Sequence, residues 1–472
     1  MKVLVLNCGS SSVKFQLIET KTETALLRGL VDKIGSSSGV LSFRAEGNRD
    51  FREVREVANH EEAISLVLSI ISHPDQGVVS SLSDIGAVGH RVVHGGQSFS
   101  ESVVITDNVI KEIEYCCQFA PLHNPHNLKG IEGVKKQLPS MFQVAVFDTA
   151  FHQHMPQKAF LYGLPYALYE KRGIRKYGFH GTSHKFVAQR AADILGKPLK
   201  DLRLITCHLG NGSSIAAVKN GVSIDTSMGF TPLEGVIMGT RCGDIDPAVI
   251  PYLMQVEKLN GKQIDALMNK FSGMLGLTET SNDMREIEKE AASGSERHQL
   301  ALDMFAYRIR KYIGAYMTAL GGLDAVIFTG GIGENSRTVR RLILEGLEPI
   351  GIVLDEEKNN QNATHISSGP IKALIVPTNE ELAIARDTAA LYESMRSQPA
   401  GVSEQAVLTP DEKADLVLLW AKHPDMNPFE LVTTFNQKTG KRFSVAALAN
   451  ELKALGLDEV SKSKRAELAS KR

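Results

Sequence analysis

The chain has 472 residues, a length that predicts two or three domains at roughly one per 150 residues. Its composition, 43% hydrophobic and 23% charged, is typical of a soluble protein with a full core. The formal net charge of -1 gives no electrostatic reason to expect nucleic acid or a membrane surface as a partner.

The cysteines and the N-terminus indicate a cytoplasmic protein. There are five cysteines without paired zinc-type spacing, and the adjacent Cys116 and Cys117 do not form a disulfide framework, so we expect reduced thiols. The apolar run at residues 3–6 is too short for the core of a signal peptide. No stretch reaches the roughly 20 apolar residues of a membrane helix.

Two similar hairpins are predicted, one at the start of the chain and one near its middle. A strand at 3–6 leads into the small polar turn 7–12 and a second strand at 13–17. A strand at 204–207, the turn 208–214 and a strand at 215–218 repeat the pattern. Such an internal repeat indicates duplicated architecture.

A third glycine-rich site has a different form. The apolar run 325–328 predicts a buried strand, the turn 329–335 follows, and residues 336–344 have a helical pattern. A long helix is predicted before it, at about 296–320. Strands interleaved with helices predict an α/β fold, and a glycine turn at a helix start favours phosphate or nucleotide.

The last part of the chain has the pattern of a small helical module. A linker composition begins near 397–401, and Thr409 and Pro410 are suited to the N-cap and first position of a helix. Helices are predicted at about 411–423, 428–436 and 444–455, with Trp420 in their core and a polar end at 461–472. Nearly balanced charges argue against a DNA-binding role, so the role of the module stays open.

Familiar nucleotide-binding motifs are absent. There is no G-x-x-x-x-G-K-[ST] sequence and no protein-kinase set of motifs, and Gly330, Gly331 and Gly333 lack dinucleotide-binding spacing. The two hairpins and the third turn remain, and their small residues would let backbone amides approach phosphate oxygens. The alternative to phosphate binding is that these are ordinary hairpin turns. One hairpin alone would favour this alternative, whereas the two hairpins with the third turn favour phosphate binding.

Four charged or polar residues lie in apolar or glycine-rich surroundings. Asp148 and Arg91 end predicted strands, Arg241 lies in a turn, and His180 lies between glycines. Each alone fits a surface ion pair or a helix cap. Together they supply the charge stabilisation that phosphoryl transfer needs. A transition-metal site at His152 and His154, or at His123 and His126, is disfavoured because the carboxylates around them lack a known metal spacing.

The motifs together resemble the acetate kinase family. They are N-C-G-S-S-S-V-K at 7–14, H-R-V-V-H-G-G at 90–96, F-D-T-A-F-H at 147–152, the block 178–184, the hairpin turn 208–214, D-T-S-M-G at 225–229 and the turn 329–335. The resemblance covers about residues 1–395, in family order and spacing. The last 75 or so residues have no counterpart.

The resemblance implies the actin, hexokinase and heat-shock chaperone fold, with two duplicated ribonuclease-H-like domains around an ATP cleft. The domains would comprise 1–150 with about 382–396, and 151–381, followed by an appended module at 397–472. It implies a homodimer and reversible, Mg²⁺-dependent transfer from ATP to acetate, with Mn²⁺ as an alternative ion. The rivals are propionate or butyrate as acceptor, and a non-catalytic nucleotide switch.

The resemblance also implies roles for single residues. Arg91 and Arg241 would bind the acyl carboxylate and the phosphoryl group, His180 would donate to the transition state, and Asp148 would be the catalytic acid or base. The acyl site would be formed by Val93, Leu122, His123, Phe179 and Pro232. Mg²⁺ would be held by Asn7 and by Glu380 or Glu381. ATP would contact Ser10, Ser12, Lys14, His208, Leu209, Gly210, Asn211, Gly212, Asp283, Met284, Arg285, Gly331, Ile332, Gly333, Glu334 and Asn335.

Physical chemistry qualifies the role of Asp148. Acetate is already ionised at neutral pH, so no proton has to be removed from it. We therefore predict that Asp148 orients Arg91 or a Mg²⁺-bound water. An apolar acyl pocket discriminates weakly, at about 1–3 kcal/mol per methylene, so propionate is predicted as a second substrate.

Overall fold

The computed structural model describes residues 1–45, 47, 49–75, 77–397, 408–423, 428–439, 445–455 and 457. Its strands are β1 (Lys2–Cys8), β2 (Ser12–Glu19), β3 (Thr24–Asp32), β4 (Ser36–Ala45), β5 (Arg49–Val57), β6 (Ile85–Val92), β7 (Val103–Val104), β8 (Gln143–Phe147), β9 (Arg203–Leu209), β10 (Ser213–Lys219), β11 (Val222–Thr226), β12 (Ala325–Thr329) and β13 (Lys372–Ile375).

The helices are α1 (His60–Ile71), α2 (Asp107–Tyr115), α3 (Asn124–Gln137), α4 (Gln157–Phe160), α5 (Tyr166–Arg172), α6 (Gly181–Leu195), α7 (Val249–Val256), α8 (Gly261–Lys270), α9 (Gly273–Thr278), α10 (Met284–Ala292), α11 (Glu296–Leu320), α12 (Gly330–Asn335), α13 (Arg337–Leu344), α14 (Glu356–Asn360), α15 (Glu380–Ser397), α16 (Pro410–Lys422), α17 (Pro428–Thr439) and α18 (Val445–Ala454). Short 3₁₀ turns lie at Leu82–Asp84, Cys116–Gln118, Ala150–His152, Leu199–Asp201 and Glu348–Ile350.

The two predicted hairpins are confirmed, and each forms the centre of a sheet. The first sheet has eight strands in the order β5-β4-β3-β2-β1-β6-β8-β7, and the second has five in the order β11-β10-β9-β12-β13. In the first sheet β1 pairs antiparallel with β2 and parallel with β6. In the second, β9 pairs antiparallel with β10 and parallel with β12.

The cores of the two sheets therefore share one topology. Reading β3-β2-β1-β6-β8 beside β11-β10-β9-β12-β13 gives the same order, with the same two antiparallel and two parallel pairings. This repetition confirms the expected fold class, a mixed α/β protein with duplicated ribonuclease-H-like sheets. The boundary drawn between two kinase domains at residues 150 and 382 stays a prediction.

The long helix predicted at about 296–320 is α11, and its bounds agree. It buries residues at a spacing of three or four, including Leu302, Phe305, Ile309 and Ile313, which pack in the core of the second sheet. Gly321 ends the helix in a left-handed conformation with φ 71°, which suits a residue without a Cβ. The strand β12 is buried at all five positions, as expected for a strand paired parallel on both sides.

Chain contacts divide the protein into two compact units, Met1–Leu391 and Tyr392–Arg472. In the second unit the three expected helices are α16 to α18, and Thr409 caps α16 through a capping box with Glu412. Trp420 is buried with Leu416, Leu431 and Phe435, which confirms its expected core position. The predicted linker beyond Ser397, the start of the third helix at Ser444 and the polar end at 461–472 lie outside the described residues.

No helix within the described ranges combines the length and the apolar character that crossing a lipid bilayer requires.

Candidate active site

Three neighbouring strand ends bring Asn7, Arg91 and Asp148 together. Arg91 lies near the end of β6, and Asp148 directly follows the adjacent parallel strand β8. Arg91 Nη2 lies 2.6 Å from Asp148 Oδ2, and Arg91 Nε lies 3.0 Å from Oδ1. Asn7, on β1, places its Oδ1 3.5 Å from Arg91 Nη1. Asp148 is only 1% exposed, and each of its carboxylate oxygens contacts the guanidinium group.

The first turn of α15 adds carboxylates to this group. Glu380 Oε2 lies 3.9 Å from Arg91 Nε. Burial disfavours the charged guanidinium, but Asp148 and Glu380 outweigh it and raise the pKa of Arg91. Burial raises the pKa of Glu380 to about 7, Arg91 opposes this, and Asp148 and Glu381 add to it.

Arg241 reaches the same region from the loop before α7, and backbone hydrogen bonds fix this loop. The amide of Gly239 donates to Asn211 O at 2.9 Å, and the amide of Ser272 donates to Thr240 O at 3.0 Å. The guanidinium Nη1 of Arg241 donates to Pro232 O at 3.1 Å. Burial lowers the pKa of Arg241.

His180 is the N-cap of α6 and has a left-handed backbone with φ 55° and ψ 22°. Such a conformation is uncommon outside glycine and is found at functional sites. A methyl group at Gly212, in the turn of the second hairpin, would lie 3.5 Å from His180 Cε1, 3.6 Å from His180 Nε2 and 3.5 Å from Arg241 Nη1. Burial, followed by His208 and His184, lowers the pKa of His180, so its ring is neutral.

Both arginines act electrostatically on the same two histidines. Burial lowers the pKa of His123, and Arg91 and Arg241 lower it further. The same two guanidinium groups also lower the pKa of His180.

Next to these charges lies a small apolar cluster made of Val93, Ala120, Phe179, Met228 and Met238. Val93 and Phe179 were expected from the sequence, whereas Ala120, Met228 and Met238 were not. Of the other expected acyl-site residues, Pro232 is half-buried and contacts Arg241 through its carbonyl. Leu122 is 57% exposed and lies outside the cluster.

A cavity of about 730 Å³ lies between the second hairpin turn and the start of α12, within the size range of small-molecule sites. Eight predicted ATP contacts line it: Gly210, Asn211, Asp283, Met284, Arg285, Gly331, Ile332 and Asn335. Asn282, Glu288 and Ser336 also line it and were missed. Hydrogen bonding of Asn282 Nδ2 to Asn211 Oδ1 at 2.9 Å links two walls of the cavity.

The remaining predicted ATP contacts do not line this cavity. Ser10 and Ser12 lie in or next to the first hairpin turn, and Lys14 is exposed on β2. His208, Leu209 and Gly212 belong to the second hairpin, and Gly333 is buried in α12. The predicted turn 329–335 is largely the short helix α12, and Glu334 Oε1 fixes its start by accepting from the amides of Gly330 at 2.9 Å and Thr378 at 3.1 Å.

The oxygen donors near Arg91 suit a hard cation. They are the amide oxygen of Asn7 and the carboxylates of Glu380 and Glu381, and oxygen ligands are those that Mg²⁺ prefers. No group of three or more His, Cys, Asp or Glu side chains within the described ranges is arranged to hold a metal by itself. This donor set fits Mg²⁺, which protein sites usually bind through one or two carboxylates together with substrate phosphates. Both ring nitrogens of His152 are engaged, with Ser223 Oγ at 2.7 Å and Phe179 O at 3.0 Å.

Comparison with known proteins identifies the family. Residues 2–386 match a family model described as the acetokinase family. An acetate kinase of Caldicellulosiruptor saccharolyticus is 55% identical over 399 residues, which are 83% of this chain and 100% of that protein. The crystal structure of Porphyromonas gingivalis acetate kinase is similar with a TM-score of 0.80 and 46% identity, over 83% of this chain and 99% of the other. A propionate kinase from Francisella tularensis is similar with a TM-score of 0.78 and 43% identity, over 82% of this chain and 99% of the other.

Proposed function

This chain belongs to the acetokinase family, and from that membership we propose that it transfers the γ-phosphoryl group of ATP to acetate. The products are ADP and acetyl phosphate, and the reaction is reversible. The observation that carries the proposal is that two arginines belong to the site: Arg91 is paired with Asp148 at 2.6 Å, and a methyl group at Gly212 would lie 3.5 Å from Arg241 Nη1 and 3.6 Å from His180 Nε2. A protein that only clamped a nucleotide would not need this second anion site, which argues against a non-catalytic switch.

The transfer is a direct in-line displacement. A carboxylate oxygen of acetate attacks the γ-phosphorus, a new O–P bond forms, and the bond from phosphorus to the bridging oxygen of ADP breaks. The charge that spreads over the transferring group is stabilised by positioned donors rather than by covalent chemistry. Arg91, Arg241 and the neutral ring of His180 are those donors.

Asp148 acts as a positioning residue in this scheme. Its two oxygens accept from Arg91 Nε and Nη2, so the carboxylate is the partner that orients this guanidinium group. Acetate needs no base because it is ionised already. The carboxylate therefore fixes the plane of the guanidinium group against which the acetate and the phosphoryl group are aligned.

We assign nucleotide binding to the 730 Å³ cavity and metal binding to the neighbouring oxygen donors. The amides of the two hairpin turns would contact the phosphates, and the cavity would take the adenosine end. Mg²⁺ would be held by Asn7 and by Glu380 or Glu381 together with the triphosphate. When bound, it neutralises phosphate charge and orients the γ-phosphoryl group.

Acetate preference follows from the small apolar cluster around Phe179. Its five members are all buried, so an acyl group at this position would face an apolar wall. Two of the five are methionines, which are unbranched and adaptable. Propionate is therefore the expected second substrate, in keeping with the similarity to a protein named as a propionate kinase.

A homodimer is supported by an apolar helix that stays exposed among the residues the structure describes. Helix α7 has the sequence VIPYLMQV, yet it contains no buried residue. Tyr252, Met254 and Val256 are 61%, 45% and 50% exposed. Large exposed apolar areas of this kind mark interaction surfaces, and a second copy of the chain is the occupant we propose. Sedimentation of Tyr252→Glu beside the unaltered protein tests this: a dimer that the substitution leaves intact would exclude α7 from the interface.

The activity is tested by trapping acetyl phosphate with hydroxylamine in the presence of Mg-ATP. Acetate, propionate and butyrate are compared by kcat/KM on the full chain and on a chain ending at Ser397. We expect the order acetate, propionate, butyrate for both proteins. Absence of acyl phosphate with all three acids would refute the proposal, and a higher kcat/KM for propionate would reassign the substrate.

A further inference from the structure

Beneath the proposed site, four polar side chains form a buried line from β9 to His180. Thr206 Oγ1 lies 2.7 Å from His184 Nδ1. His184 Nε2 lies 2.8 Å from Ser214 Oγ, and Ser214 Oγ lies 2.9 Å from His180 Nδ1. His184, Thr206 and Ser214 are all buried, so water does not compete for these contacts.

The fold explains why these side chains meet. His180 and His184 are four residues apart at the start of α6, so they project on one side of the helix. Thr206 on β9 and Ser214 on β10 belong to antiparallel neighbours whose register pairs Ala216 with Thr206 and Ser214 with His208. Residues two apart on a strand share a face, which places Thr206 and Ser214 on the same side of the sheet.

The direction of the hydrogen bonds follows from counting protons. Within the described part of the chain, His184 Nδ1 is the single hydrogen-bond partner of the Thr206 hydroxyl. The hydroxyl proton must point at that nitrogen or be buried without an acceptor, so His184 Nδ1 accepts. Burial lowers the pKa of His184 far below its ordinary value, so the ring is neutral and its one proton is on Nε2. That proton is donated to Ser214 Oγ.

We propose that Thr206, His184 and Ser214 act as a one-way hydrogen-bond relay that fixes His180 as the tautomer carrying its proton on Nε2. Ser214 accepts from His184 and has His180 Nδ1 as its remaining partner, so it donates there. His180 Nδ1 is then an acceptor and Nε2, the nitrogen beside Gly212, carries the proton. The reverse polarity would leave the Thr206 proton unsatisfied and would present a lone pair to the transferring phosphoryl group.

The relay gives Thr206, His184 and Ser214 a function that resemblance to other proteins does not assign to them. None of the three contacts a substrate in this scheme, and no proton moves along the line. They are positioning residues: they keep one tautomer of a neutral histidine populated, so that it donates to phosphate oxygens without reorganising. This inference rests on the proposed phosphoryl-transfer function.

The direct test is the protonation of the ring nitrogens in the full-length protein. Histidine labelled with ¹⁵N distinguishes protonated from unprotonated ring nitrogens by NMR, and His180→Asn and His184→Asn identify the two rings by the signals they remove. We expect Nε2 protonated and Nδ1 unprotonated in both rings. A protonated Nδ1 in either ring would overturn the proposal, whatever the activity of the protein.

A crossed pair of variants separates this role from packing. Thr206→Val keeps the shape but loses the hydroxyl, whereas Thr206→Ser keeps the hydroxyl but loses a methyl group. The relay predicts that Thr206→Val lowers kcat on the order of tenfold or more with little change in KM, as expected when a group orienting a histidine is removed. Thr206→Ser should retain most of the activity. A packing role predicts the opposite order, and that order would refute the relay.

The two tests also separate failure of the relay from failure of the proposed function. Ring protonation is measured without turnover, so it reports on the relay even if the unaltered protein forms no acetyl phosphate. If Thr206→Val does not fold, the spectrum of the unaltered protein still decides the polarity.

Discussion

Replacement of Asp148 by asparagine should separate an orienting role from a role as catalytic base. Asp148→Asn keeps the size of the side chain and one oxygen that can accept from Arg91. The other oxygen, which lies 2.6 Å from Arg91 Nη2, becomes an NH₂ group that faces another donor. The guanidinium group then loses the nearer of its counter-charges and one of its two contacts with residue 148, so it should rotate away from its position.

The size of the effect can be worked out from the geometry. A hydrogen bond between charged groups contributes about 1.5–3 kcal/mol, and removing one partner of a buried ion pair costs about 3–5 kcal/mol. Because the side chain of Arg91 is 22% exposed, we take about 3 kcal/mol, where these ranges meet. At 1.36 kcal/mol per factor of ten, kcat/KM for acetate should fall by about a hundredfold.

Hydroxamate trapping across a range of pH is the assay, and the chain contains a matched control. Asp50 accepts from Arg44 through the same atoms as in the Asp148–Arg91 pair, with Arg44 Nε 2.5 Å from Oδ1 and Nη2 2.7 Å from Oδ2. That pair is on the surface, with Asp50 62% exposed, and such pairs contribute about 0–1 kcal/mol. Asp50→Asn should therefore leave kcat/KM unchanged.

The orienting role further predicts that Asp148→Asn keeps the pH profile of the unaltered protein, since no base has been removed. Near-normal turnover with unchanged Mg²⁺ dependence would contradict both the orienting role and any role in holding a Mg²⁺-bound water. A residual activity that rises steeply with pH, while the unaltered protein shows no such rise, would restore the catalytic base.

Three further predictions concern the metal, the acyl pocket and the nucleotide turn. Burial raises the pKa of Glu380 to about 7, so the charged form that binds a cation becomes more populated as the pH rises through 7. The half-saturating Mg²⁺ concentration should therefore be about tenfold higher at pH 6 than at pH 8. Glu380→Gln should abolish this difference. Val93→Ala removes two methyl groups from the apolar cluster and makes room for a longer acyl chain. It should raise the kcat/KM of butyrate relative to acetate by roughly ten- to hundredfold. An unchanged ratio would show that Val93 does not line the acyl site. Gly330 has φ 76°, and a methyl group there would lie 2.7 Å from Leu209 O, so Gly330→Ala should lower the free energy of unfolding by about 2 kcal/mol. Gly331→Ala should not lower it, because the space around Gly331 is open. Equal losses for the two variants in urea denaturation would contradict this account.

The parts of the fold that could be predicted from the sequence are those with a local cause. Glycine and serine turns between apolar runs marked both hairpins, and Thr409 with Pro410 marked the start of α16. Leu302, Phe305 and Ile309 show the helical spacing that defined α11. The strand order could not be derived in this way, because parallel pairs such as β9 with β12 join segments with a long stretch of chain between them.

The candidate site also contains residues that could be predicted from the sequence and residues that could not. Arg91, Asp148 and His180 were found because each interrupts an apolar or glycine-rich pattern. Met228 and Met238 were missed because nothing in the sequence distinguishes them from ordinary core methionines. The roles of Thr206 and Ser214 could not be predicted from the sequence either. That they face the two histidines follows from the register of β9 and β10 beneath α6.

The repeated strand order has a consequence for how the protein refolds. Each hairpin joins strands that are neighbours in sequence, whereas Leu204 of β9 meets Ala325 of β12 across about 120 residues. The hairpins should form early and the distant strand pairs should associate late, since long loops close slowly. Arg91 lies on β6 and Asp148 directly follows β8, two strands that pair with distant parts of the first sheet, so recovery of turnover should trail recovery of β-sheet circular dichroism after dilution from denaturant.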